Sequence, residues 1–89
     1  MGDLYLVDRP FGENALRLAQ EDAAAIVVLI QDGVYLDPRP LLDAGKTVYA
    51  VQRDVEKRGL QQRIASGVQL IDYGQLVDLI AAHKVVNFV

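Results

Sequence analysis

Between Ala23 and Gln31 the chain carries no charge, and from Ala24 to Ile30 every residue is apolar. A strand with one wet face alternates apolar and polar residues. An unbroken run belongs to a strand covered on both faces, as in a parallel sheet under helices. The run is far shorter than the ~20 residues that cross a bilayer. The rest of the chain must therefore supply helices for both sides of a sheet.

The flanking sequence reads that way. Leu4 to Val7 is a first strand, closed by Asp8-Arg9-Pro10, because proline has no N–H for the ladder. Glu13 to Glu21 is a helix, with Ala15, Leu16, Leu18 and Ala19 forming its apolar face. Asp32-Gly33 stops the second strand in a turn in which Gly33 supplies a positive φ and Asp32 bonds its own backbone. Asp37 caps a short helix through Leu41, Leu42 and Ala44, ended by Gly45 in the left-handed conformation. Thr47 to Val51 is strand three.

Asp54 caps a helix running to about Ile64, weakened in its middle by Gly59. Val68 to Ile71 is strand four. Tyr73 to His83 is an amphipathic helix with Leu76, Val77, Leu79 and Ile80 inward, and Val85 to Val89 is the last strand. Strict β-α alternation predicts parallel pairing through right-handed crossovers. The expected fold is a three-layer, flavodoxin-like α/β sandwich with a mainly parallel sheet of four to five strands, in a single domain over 1–89.

At 89 residues and 52% hydrophobic content, such a domain has little volume in which to hide its apolar surface. Some of that surface is expected to face another chain. The net charge of −3 argues against a direct grip on nucleic acid. Arg53, Lys57, Arg58 and Arg63 form a local basic group, diluted by Asp54 and Glu56 and read as a solvated helix face. Asp3, Asp8 and Arg9 leave no apolar stretch for a secretory leader, so the expected location is cytoplasmic, away from membranes.

The sequence has no cysteine, which removes disulfides, thiolate metal sites and thiol nucleophiles. One histidine, His83, cannot build a metal shell alone. Gly12 stands without a phosphate-loop pattern around it. No cofactor is expected. Polar groups do fall where ligands gather in open parallel sheets, beyond the carboxyl ends of the strands: Asp8-Arg9, Gln31-Asp32, Arg53-Asp54 and Asp72-Tyr73. Asp8 and Asp54 could hold Mg²⁺ as in a phospho-accepting receiver domain, although no lysine follows strand five. The plainer reading has Asp54 capping its helix and Asp8 binding loop amides. Gln31-Asp32-Gly33 could offer amides to an anion.

Three blocks together carry a family likeness: Val28 to Val34 with Gln31-Asp32-Gly33; Val48 to Val51 followed by Asp54 and Arg58-Gly59-Leu60; and Ile71-Asp72-Tyr73 with Leu76-Val77 and His83. In this order and spacing the chain resembles the DsrH/TusB family of sulfur-relay proteins. The resemblance implies a role in passing persulfide sulfur between proteins, in the TusB branch toward 2-thiolation of the tRNA wobble uridine. It implies TusC-like and TusD-like partner subunits, the TusD-like one bearing the reactive cysteine. Subunits of the DsrH branch carry a cysteine on the first helix. Here Arg17 to Ala19 hold none, so the chain looks more like the TusB branch.

The role this leaves is that of a non-catalytic docking subunit, with Gln31, Asp32, Gly33, Tyr35, Arg58, Gly59 and His83 as candidate partner contacts. Self-association as a homodimer is the alternative if those partners are missing. A receiver-like or ligand-binding regulatory domain is the alternative function.

Overall fold

The structure is a computed structural model that describes residues 3–89. Five strands form one sheet: β1 (Asp3–Val7), β2 (Ile26–Leu29), β3 (Thr47–Val51), β4 (Gln69–Ile71) and β5 (Lys84–Phe88). Their order is β4-β3-β2-β1-β5, and every pairing is parallel. The chain steps outward from β1 to β4 and then returns across the sheet to place β5 on the far side of β1. Strand order was not readable from the sequence; it differs from the 2-1-3-4-5 order of flavodoxin while keeping the three-layer architecture.

The outward steps lay three helices on one face: α1 (Gly12–Glu21), α2 (Arg39–Asp43) and α3 (Gln52–Lys57). Ala15, Ala19, Leu41 and Val55 pack there on Tyr5, Val7, Val27, Leu29, Val48 and Ala50. The return lays α4 (Tyr73–Ala82) alone on the other face, where Leu76 and Leu79 meet Leu4, Val28, Val51 and Ile71. The apolar run of β2 is thus covered on both sides, Val27 and Leu29 by one layer and Val28 by the other.

Several local expectations change. Ala25 lies before β2, its amide held by the Asp22 carbonyl. Leu18 on α1 is exposed. Helix α3 ends at Lys57, well short of Ile64, because Gly59 adopts φ +65° and closes the helix rather than merely weakening it. The Gly59 amide donates to the Glu56 carbonyl and the Leu60 amide to the Val55 carbonyl, the paired bonds of a glycine C-cap. Gly45, at φ +78°, closes α2 in the same way, as expected.

Val77 and Ile80 point to solvent, not inward. With no second helix beside α4, only the stripe through Leu76 and Leu79 has anything to pack on. The start of α4 is closed by a reciprocal capping box: the Asp72 side chain accepts from the Gln75 backbone N–H while the Gln75 side chain accepts from the Asp72 backbone N–H.

Candidate functional site

The carboxyl ends of β1, β2 and β3 lie side by side, and the segments that leave them build one surface. The chain exits β1 into a single tight turn, Arg9–Phe11, started by the Asp8 carboxylate accepting the Arg9 amide. It exits β2 into a second tight turn, Gln31–Tyr35. The Ile30 amide donates to the Val7 carbonyl at 3.0 Å, so the second turn is laid against the end of β1.

That approach decides Gly33. A methyl group on it would fall 2.1 Å from the Val7 carbonyl oxygen. The glycine is needed for close contact, and its φ is not positive. Gln31 carries the left-handed conformation instead, at φ 50°, which costs a residue with a side chain on the order of 1 kcal/mol.

Asp54 holds this strained residue in place. It lies in the first turn of α3, 5% exposed, and is not the residue capping the helix; Val51 occupies that position. Its Oδ2 accepts the Gln31 amide at 2.8 Å. Arg58 completes the tie: its Nε donates to Asp32 Oδ1 at 2.9 Å and its Nη1 to the Asp54 carbonyl oxygen at 3.1 Å. Nη1 also stands 3.8 Å from Asp54 Oδ1. Asp32 therefore reaches across to α3 rather than bonding its own turn. The hydrogen bond to Asp32, more than the field of Asp54, pushes the Arg58 pKa above its ordinary value.

Six of the seven candidate residues thus share one neighbourhood: Gln31, Asp32, Gly33 and Tyr35 on the second turn, Arg58 and Gly59 at the end of α3. His83 is not with them. It directly precedes Lys84, which pairs with Asp3 at the opposite edge of the sheet. There its Nδ1–H donates to the Leu79 carbonyl oxygen at 2.8 Å, serving the end of α4. The basic group at positions 53–63 also divides, since Arg58 is locked in the tie while Arg63 lies beyond the helix.

The same edge carries exposed aromatic rings, Tyr35 at 46% and Phe11 at 50%. The Arg9 guanidinium lies 5.4 Å from the centroid of the Tyr35 ring. Beside Tyr35 opens a cleft of about 420 Å³, floored by Leu29, Val34, Leu36, Leu60, Ile64 and Val68 and edged by Arg39 and Arg63. Among the described residues no group of three His, Cys, Asp or Glu side chains is placed to hold a metal ion. No helix there is long and apolar enough to cross a membrane.

The site is the carboxyl edge of a parallel sheet, where two hydrogen-bonded turns, exposed aromatic rings and arginines lie together. The class is that of small three-layer α/β subunits with five parallel strands. Within it, the model of the DsrH like protein family matches residues 10–86, and the chain belongs to that family. It is 37% identical over 65 residues to Protein TusB of Photorhabdus laumondii, covering 64% of this chain and 66% of that protein. Against Protein TusB of Pectobacterium atrosepticum it is 38% identical over 72 residues, covering 74% and 73%. Its fold is similar to the crystal structure of the ychN protein from E. coli, with TM-score 0.83, 18% identity and 99% coverage of both chains. It is also similar to the solution structure of Tm0979 from Thermotoga maritima, with TM-score 0.65, 28% identity and coverage of 90% and 92%.

Proposed function

We propose that this chain is a non-catalytic subunit of a sulfur-relay complex of the TusB kind, with an implied role in tRNA wobble uridine 2-thiolation. Family membership supports the sulfur-relay setting. The observation that carries the non-catalytic part is chemical. Persulfide sulfur moves when a thiolate attacks it, and the sequence has no cysteine to supply one. What the chain offers is the stiff edge at Gln31, Asp32, Tyr35 and Arg58, a surface against which a cysteine-bearing TusD-like or TusC-like subunit can seat.

Affinity capture of the chain from its native host, followed by mass spectrometry, tests this. Recovery of a cysteine-bearing homologue of the same fold in stoichiometric amount is expected. Recovery of the chain alone contradicts the proposal.

A second reading has one observation of its own. Tyr73, Val77 and Ile80 form an exposed apolar stripe on α4, the helix that stands alone on its face. That stripe suits self-association as a homodimer when partner subunits are missing. The receiver-like alternative has no such support. The Asp54 side chain is buried and already engaged by the Gln31 amide and Arg58.

A further inference from the structure

We propose that the cleft between the Gln31–Tyr35 turn and the loop after α3 is a docking groove for an acidic segment of a partner protein, one that carries a large apolar side chain. This goes beyond the sulfur-relay reading and does not depend on it.

The groove exists because α3 stops early. Had the helix continued to Ile64, that stretch would lie along the helix axis. Gly59 instead turns the chain, and the loop carries Leu60 and Ile64 back toward Leu29, Val34 and Leu36. The resulting cleft, at about 420 Å³, is within the usual range for a buried ligand group. A second hollow of about 510 Å³ adjoins it, reached past Tyr35, Leu36 and Asp37, which line both. Two hollows in series along one wall make a path rather than a pocket, and a path suits an extended chain.

Charge selects the occupant. Four of the nine Lys and Arg residues, Arg9, Arg39, Arg58 and Arg63, gather on this edge of a chain whose net charge is −3. Two of them are already neutralised: Arg39 by Asp37 at 2.9 Å, and Arg58 by Asp32. Arg63 and Arg9 have no acidic partner within 4.0 Å among the described residues. One of these free cations lines each hollow. A segment with carboxylates spaced to reach both, and an apolar side chain between them for the floor, engages both free cations and the floor while keeping its negative charge off Asp37 and Glu13.

A nucleic acid fits less well. Its phosphates follow one another without a gap, and here they would run over Asp37 and Glu13, which also line the path. The apolar floor of the first hollow gives a phosphate backbone nothing to bind, and a peptide, unlike that backbone, can space its carboxylates away from Asp37 and Glu13.

The test uses the purified full chain and a fluorescein-labelled peptide with Leu-Phe at its centre and Asp and Glu on either side. A length of about ten residues, ~33 Å extended, covers both hollows. Fluorescence anisotropy is expected to show saturable binding, absent when Lys replaces the acidic residues. Arg9 and Arg63 are exposed, so the double charge reversal Arg9→Glu with Arg63→Glu leaves the fold intact by circular dichroism. It is expected to weaken binding roughly tenfold. Ala65→Trp, which fills the cleft from its loop side, is expected to weaken it as well. No saturable binding of the acidic peptide overturns the proposal. So does binding that both variants leave unchanged, or a single-stranded RNA oligomer binding the groove where the peptide does not.

Discussion

Removing the Asp54 carboxylate tests the tie that shapes the site. In the intact protein this buried group accepts the Gln31 amide at 2.8 Å and faces Arg58 Nη1 at 3.8 Å. Asp54→Ala leaves the amide without its partner. An amide deprived of a buried acceptor costs about 1–3 kcal/mol, and Gln31 loses the bond that offsets its left-handed backbone. The expected loss is about 2 kcal/mol. With a urea m-value of about 1 kcal/mol/M for a domain this small, the unfolding midpoint falls by roughly 2 M.

Asp54→Asn separates the two contributions. Its side-chain oxygen still accepts from Gln31, but its amino group faces Arg58, so the loss is about 1 kcal/mol. Urea titrations followed by circular dichroism give both values, and amide hydrogen exchange at Gln31 reports the bond itself. Gln31 is expected to be protected in the native chain, partly protected in Asp54→Asn and open in Asp54→Ala. A loss below about 0.5 kcal/mol for Asp54→Ala, the range of an ordinary surface change, refutes the reasoning. Equal losses in the two variants show that charge, not the acceptor, holds the turn.

Other expectations follow from the same geometry. Gly33→Ala drives a methyl into the Val7 carbonyl at 2.1 Å and is expected to cost about 3 kcal/mol or more in urea unfolding. Gly59→Ala meets nothing within 4 Å, so only the strain of a positive φ remains, about 1 kcal/mol. Asp37 has its pKa lowered from 3.8 to about 2, chiefly by the Arg39 side chain and then by the Arg39 amide. A depressed carboxylate pKa means the contact is fully present above 3.8 and lost as pH falls toward 2. Carboxyl NMR titration should show this, and Arg39→Ala should return Asp37 toward its ordinary value. Val77→Asp, at a side chain 62% exposed, should leave monomer stability within about 0.5 kcal/mol. Light scattering should show it weakening association through α4.

The fold was legible where a pattern is local and repeated. The apolar run before Gln31 announced a strand covered on both faces, β-α alternation announced parallel pairing, and Gly45 announced the end of a helix. Gly59 does not announce a helix end locally, because a glycine inside good helix formers costs only about 1 kcal/mol. The sequence does not display the competing capping bonds that end α3 there. Leu76, Val77, Leu79 and Ile80 look like one apolar face in the sequence, and whether a neighbouring helix covers Val77 and Ile80 is a matter of topology. The capping box of Asp72 and Gln75 follows the local Asp-x-x-Gln pattern, with both residues three positions apart at the start of α4. The heart of the site could not be read at all. Asp54 meets Gln31 across 23 positions and Arg58 meets Asp32 across 26, and no local pattern encodes such a pairing. Position after strand ends brings Gln31, Asp32, Gly33, Tyr35, Arg58 and Gly59 into one neighbourhood, whereas His83 ends α4 at the opposite edge, a separation that only the topology displays.

Reconstituted transfer of radiolabelled persulfide sulfur bears most directly on the account's core, that this chain shapes a relay without carrying its cargo. With a cysteine-bearing partner subunit, a sulfur donor and an acceptor protein, the label is expected on the partner's cysteine and the acceptor, none on this chain, with transfer slowed when this chain is left out. Label bound to this chain, or transfer at the same rate without it, contradicts the account.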